Sequence, residues 1–176
     1  MGRGILKIDS FLNHQIDAQL MEQIGEAIAA EFGATQPTRV LTAEVSGLIP
    51  AAMAGKALGN IPVVYARKKK PITMMEPVFV ENAPSHTKGD VVSLMVSPEF
   101  LHAADRVLIV DDFLATGRTI AALARIVQSS GATLVGIATV VEKTFEGGRE
   151  MLLEWGVPIY SAATIVDMAD GRIQLA

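Results

Sequence analysis

The sequence predicts an α/β domain, a parallel sheet covered on both faces by helices. Three observations carry that expectation. Short apolar runs alternate with stretches of helical length, the pattern of strand–helix–strand units. At 176 residues, half of them apolar, the chain suits a single domain with a substantial core, and it shows no internal repeat. Polar residues follow four of the apolar runs, at Glu44-Val45-Ser46-Gly47, Arg67-Lys68, Asp111-Asp112 and Glu142-Lys143, where such sheets bind ligands.

Taken in order, Asp17 caps a predicted helix over 18–32, with Leu20, Met21, Ile24, Ala27 and Ile28 on one face and Gly33 as its stop. A short buried strand is predicted at 40–43, then a loop over 44–47. Residues 50–58 fit a small-residue helix with Pro50 near its first turn. A second apolar strand at 62–66 ends in Arg67-Lys68-Lys69-Lys70. Residues 69–90 turn polar and irregular, with Pro71, Pro77, Pro84 and Gly89, and 77–81 could pair with 91–96 as a hairpin projecting from the main body. Strand 107–110 and helix 120–127 follow, with Gly131 closing the helix. A strand at 133–142, the longest apolar one, a short helix at 149–155, and strands at 159–166 and 172–175 joined by a turn at Asp170-Gly171 complete the chain.

Composition excludes several classes. The net charge of −4 gives no broad basic excess for nucleic acid, and the absence of cysteine excludes disulfides and thiol chemistry. No apolar stretch reaches the ~20 residues of a spanning helix, and the N-terminus lacks a signal-peptide core. Leu6 stands where a myristoylation signal following Gly2 needs Ser or Thr. The expectation is a cytoplasmic protein with no membrane partner.

Residues 106–119 concentrate the chemistry. The apolar run ends in Asp111 and Asp112, taken as an exposed strand end, and Ala115-Thr116-Gly117-Arg118-Thr119 leads into the helix. Strand, tight loop and helix start aim backbone N–H groups and a positive helix end at an anion. The carboxylates can accept hydrogen bonds from vicinal hydroxyls or hold a hydrated cation. A ribose 5-phosphate offers both partners. In this order the run, the acidic pair and the turn resemble the signature of the type I phosphoribosyltransferases, which bind 5-phosphoribosyl-1-diphosphate (PRPP).

That resemblance implies a type I phosphoribosyltransferase fold in one domain over 1–176. It would have a flexible lid at about 69–90 and a small base-binding hood from 1–17 and the C-terminal segment. It implies that Asp111 and Asp112 hold the ribose hydroxyls and, with Lys68, form the catalytic set. Ala115, Thr116, Gly117, Arg118 and Thr119 would take the 5-phosphate. Arg118 opposes the helix dipole unless a phosphate is bound. Glu44, Ser46 and Gly47 resemble the family's diphosphate loop, often of unusual backbone geometry, and Arg67-Lys68 its basic dipeptide. Lys69 and Lys70 read as a solvated run. Mg²⁺ is implied by the substrate, held mainly by PRPP and water rather than by protein ligands. His14 and His102 receive no catalytic role.

The run Leu6-Lys7-Ile8-Asp9-Ser10-Phe11-Leu12-Asn13-His14-Gln15-Ile16-Asp17 is similar to bacterial xanthine phosphoribosyltransferases. With Ala66-Arg67-Lys68 and Val141-Glu142-Lys143-Thr144-Phe145, the likeness spans nearly the whole chain. It implies base contacts from Leu6, Asn13 and Lys143, in a homodimer. Xanthine carries oxygens at positions 2 and 6, which Lys143 and the Asn13 amide could meet as donors. Adenine's exocyclic amine would leave such buried donors unpaired. The chain begins closer to this run than family members usually do, so a leading helix is expected to be absent. The expected activity is transfer of the phosphoribosyl group to xanthine, giving XMP and diphosphate in purine salvage. Adenine- or hypoxanthine/guanine-type transfer, and a non-catalytic PRPP-sensing regulator, are the alternatives.

Overall fold

The structure, a computed structural model, describes residues 6–84, 91–169 and 172–176. Among them six strands form one sheet: β1 (Arg39–Ala43), β2 (Val63–Ala66), β5 (Arg106–Leu114), β6 (Thr133–Lys143), β7 (Ile159–Asp167) and β8 (Gln174–Leu175). The spatial order is β2-β1-β5-β6-β7-β8, parallel throughout except for the antiparallel edge pair β7–β8. The strand order reverses between β1 and β5, so a crevice opens there beyond the strands' carboxyl ends. The predicted turn at Asp170-Gly171 lies outside the described residues.

Each central strand is apolar on both sides because both faces are covered. Val40, Leu108, Val110 and Ala138 pack under α1 (Ala18–Phe32) and α2 (Leu48–Ala57), joined by Ile8 and Leu12 from the N-terminal run. Leu41, Val107, Ile109 and Ile137 pack under α3 (Arg118–Ser130) and Leu152 of the short α4 (Gly148–Leu152). Full burial of each large aliphatic side chain is worth about 1.5–3 kcal/mol, so two such layers dominate the stability.

Helix α1 has the predicted bounds, and the Asp17 carboxylate accepts the Leu20 N–H at 3.0 Å. Gly33 caps α1 as expected, its N–H reaching the Ala29 carbonyl. A tight turn continues over Gly33–Thr35, and the chain reverses at Gln36, whose φ is 49°. The small-residue helix packs closely on α1. A Cβ on Gly25 would lie 2.5 Å from the Met53 carbonyl carbon, and Ala51, Ala54 and Gly55 are buried.

The hairpin departs further from expectation. Its strands are β3 (Phe79–Pro84) and β4 (Val91–Val96), and it does not project. Ala83, Leu94 and Val96 are buried in the α3-side core, and Arg125 of α3 meets Glu81 at 2.8 Å. Of the predicted lid, residues 69–78 are irregular, and 85–90 lie outside the described residues. The signature strand is also longer than its apolar run, continuing through the acidic pair to Leu114.

Candidate active site

Because β5 continues to Leu114, Asp111 is not at an exposed strand end. Its carboxyl is 6% exposed and faces the loop after β1. A Cβ on Gly47 would lie 2.6 Å from Asp111 Oδ1 and 2.4 Å from Thr42 Oγ1, so only glycine lets the loop pass this close. Asp111 Oδ1 accepts the Asp112 N–H at 3.0 Å, and Asp112 Oδ1 accepts the Phe113 N–H at 2.8 Å. Burial drives the Asp111 carboxyl well above the ordinary range, and the neighbouring Asp112 charge pushes it the same way; the Lys68 charge pulls against both. Asp112 is half-buried. The two adjacent carboxyls together offer several acceptor oxygens, so the pair can meet a vicinal diol.

The loop over 44–47 is tied to the next strand unit. Glu44 Oε1 accepts the Lys68 N–H at 2.6 Å, and Glu44 Oε2 lies 2.8 Å from Arg67 Nε as an ion pair without a hydrogen-bonding angle. The Glu44–Val45 peptide bond is cis. Arg67 also lies over the Tyr65 ring, 5.6 Å from its centroid. Glu44 and Arg67, both expected to reach PRPP directly, are therefore engaged with each other and shape the loop. Lys68 extends exposed beyond it, and its charge reaches Asp111.

Beyond Leu114 the chain turns through Ala115 and Thr116 into α3. Gly117 sits in the left-handed region (φ 74°) and precedes the first helical residue, Arg118, which is exposed. The Ala121 N–H reaches the Gly117 carbonyl at 2.8 Å, so the N–H groups of 117–120 precede the helix's own bonding. Thr116 Oγ1 is buried without a hydrogen-bond partner among the described residues, and Thr119 is half-buried beside it in sequence. A bound oxyanion satisfies such a set.

On the other flank β6 ends in Glu142 and Lys143. Lys143 is 8% exposed, with Nζ 3.3 Å from Glu146 Oε1 and 5.6 Å from the centre of the Phe113 ring. Leu6 is half-buried against the α1-side core. Asn13 ends a single wide helical turn, Asp9–Asn13, and its side chain is exposed, outside the cluster around Asp111. His14 and His102 are exposed.

Sequence reasoning did not single out Thr42, Phe113, Gly148, or the Arg149 and Ser161 partners of Glu142. Thr42 hides in an apolar strand, and nothing local marks Phe113 beside the acidic pair. The polar network of Glu142, Arg149 and Ser161 joins residues far apart in the chain. Gly148 appeared as loop, although the pair Gly147-Gly148 was a visible sign that some backbone approaches closely there.

Comparison with known proteins agrees with this arrangement. The family model described as phosphoribosyl transferase domain matches residues 9–153. A xanthine phosphoribosyltransferase of Deinococcus deserti is 51% identical over 96% of this chain and 86% of its own length. One from Geobacillus thermodenitrificans is 45% identical over 97% and 88%. Among solved structures, adenine phosphoribosyltransferase from Thermoanaerobacter pseudethanolicus superposes with a TM-score of 0.72 at 28% identity, covering 84% of this chain and 82% of that one. With the family model matching most of its length and relatives at 45–51% identity over nearly all of it, this chain belongs to the phosphoribosyltransferase family, among the xanthine phosphoribosyltransferases.

Proposed function

We propose that this chain transfers the 5-phosphoribosyl group of PRPP to xanthine, releasing diphosphate and XMP. The observation that carries the chemistry is that only a three-residue turn separates β5 from α3, so one short segment presents a buried carboxyl and, a few residues on, a set of helix N-terminal donors that precede the helix's own bonding. A ribose between them would be fixed at both ends. As the bond to diphosphate breaks, positive charge grows on the sugar ring and negative charge on the leaving group. Asp111 and Asp112 would orient the ribose hydroxyls, and Asp112 would face the ring's charge. Lys68 and the N–H groups of 46–47 would receive the diphosphate. Lys143 would donate to a purine oxygen from the end of β6, with Asn13 and Leu6 closing over the base from the N-terminal run. Support for xanthine comes from the relatives' names and from a buried cation on the base side.

Mg²⁺ is part of the proposal. Among the described residues no cluster of three or more His, Asp or Glu could cage a metal, whereas the adjacent Asp111 and Asp112 can add a carboxylate or water-bridged contact. That donor set suits an ion arriving on the diphosphate. When bound, it would offset the leaving group's charge.

The proposal extends to a cytoplasmic homodimer. No described helix is long and apolar enough to cross a membrane. Tyr65, Met74 and Phe100, with Pro71, Val63 and Arg67, line a cavity of about 460 Å³ on the β2 edge, and Ile72, next in the chain to Pro71, is wholly exposed. A second copy would cover this apolar edge. Light scattering at micromolar concentration should give twice 18.7 kDa; a mass that stays at 18.7 kDa with PRPP and Mg²⁺ present rejects the dimer. Incubation with PRPP, Mg²⁺ and each purine separately tests the reaction. XMP should dominate. Product from another base instead reassigns the substrate, and no product from any base leaves a PRPP-sensing regulator.

A further inference from the structure

We infer that Gly148, held by the pairing of half-exposed Arg149 with buried Glu142, is a positioning residue for the 5-phosphate turn. The inference rests on assigning residues 115–119 to that phosphate. Gly148 belongs to a segment thirty-odd residues downstream, yet it lies against the turn's backbone. A Cβ on Gly148 would stand 2.3 Å from the Ala115 carbonyl oxygen and 2.7 Å from the Gly117 nitrogen. Reciprocally, a Cβ on Gly117 would meet the Gly148 carbonyl oxygen at 2.9 Å. Gly148 is buried in a right-handed helical turn, so glycine is demanded there by space, not by conformation. Both atoms it would strike are main-chain atoms of the turn and cannot swing aside as a flexible side chain can.

Helix α4 has five residues, too few to hold its own position. Arg149 fixes it. Its Nε donates to Glu142 Oε1 at 2.7 Å, its Nη2 to Glu142 Oε2, and its Nη1 to the Ile159 carbonyl at 3.0 Å. Ser161 Oγ donates to Glu142 Oε2 at 2.7 Å, and Thr139 Oγ1 lies 3.0 Å from Ser161 Oγ. A planar guanidinium gripping a 1%-exposed carboxylate in a fork is a rigid fastening. Glu142 also immediately precedes Lys143. One fastening thus sets the floor under the phosphate turn and the strand end that carries the base-side lysine.

The test compares steady-state constants for Gly148→Ala and Gly147→Ala. Gly147 has φ 73° and only the end of the Glu150 side chain within 4.0 Å, so its substitution strains the backbone without touching the turn. Gly148→Ala should raise the PRPP KM about tenfold, a shift in keeping with the large cost of sub-ångström to ångström misplacement, with kcat within about threefold and the xanthine KM unchanged. Gly147→Ala should lower Tm and leave the PRPP KM alone. If Gly148→Ala does not fold, Arg149→Lys decides, since it keeps the charge and loses the fork; it too should raise the PRPP KM, with the xanthine KM free to rise alongside. An unchanged PRPP KM in the deciding variant, or an equal rise in Gly147→Ala, overturns the inference. Thr119→Val is read alongside: a raised PRPP KM there upholds the phosphate assignment, and an unchanged one shows that the assignment itself has failed.

Discussion

Asp111 shows how much a single side chain's setting adds to its identity. Its raised proton affinity has a sign that can be worked out. A carboxyl held above its unfolded value binds more protons folded than unfolded between the two values, so the fold loses stability as pH rises through that window. Asp111→Asn should therefore unfold at higher urea than the parent at neutral pH, with the gap narrowing as pH falls toward the unfolded carboxyl range and closing below it. The same variant should lower kcat/KM by about 10² through lost ribose positioning. Equal midpoints at every pH would refute the stability half, and undiminished turnover the catalytic half. The acidic pair was legible because an apolar run broke abruptly into two carboxylates. Its burial was not, because the cover comes from Gly47, over sixty residues upstream, and no local pattern encodes that contact. Lys143 was legible by its place after an apolar run. Its partnership with Glu146 and the Phe113 ring was not.

Among the elements, α1 was the most readable, with its cap, apolar stripe and length agreeing. Asp17→Ala removes the acceptor of the Leu20 N–H and should cost about 1 kcal/mol, read as a lower Tm with catalytic constants preserved. A Tm unmoved by the substitution would mean the cap contributes nothing here. The hairpin was the least readable. Prolines and polar residues made 69–90 look detached, while the inward side chains Ala83, Leu94 and Val96 gain meaning only once α3 lies beneath them. Arg125 and Glu81 join the two at 2.8 Å, and both are partly exposed, so the pair is worth at most about 1 kcal/mol. Arg125→Ala should speed amide exchange across β3 and β4 and leave α1 unchanged, by mass spectrometry. Uniform rates in the two proteins would show that apolar packing alone docks the hairpin.

For the molecule as a whole, alternation of apolar runs and helices specified the layers, and the residues after each run marked the binding edge. Strand order was out of reach, because nothing local says that β5 inserts beside β1. That insertion governs how the protein comes together in time. β1 and β5 pair with Arg39 beside Val107, and the junction is latched where Asp105 Oδ1 accepts from Thr38 Oγ1 at 3.0 Å and from Arg39 Nη2 at 3.1 Å, across 67 and 66 residues of chain. Burial raises the Asp105 carboxyl's proton affinity, but the His102 N–H, Arg39 and Thr38 together outweigh it and leave the carboxyl below its ordinary value. Its contribution is thus present above the unfolded carboxyl range and lost as pH falls through the depressed value. Closing so long a loop carries an entropic cost that neighbouring pairs such as β5–β6 largely escape. The crevice between β1 and β5 should therefore be assembled after the rate-limiting barrier. Stopped-flow refolding of Asp105→Ala would show this as faster unfolding at a nearly unchanged folding rate, whereas slowed folding would put the seam in the nucleus. A nascent chain then acquires its binding crevice last, and a ligand that needs both walls can slow the protein's unfolding without hastening its folding.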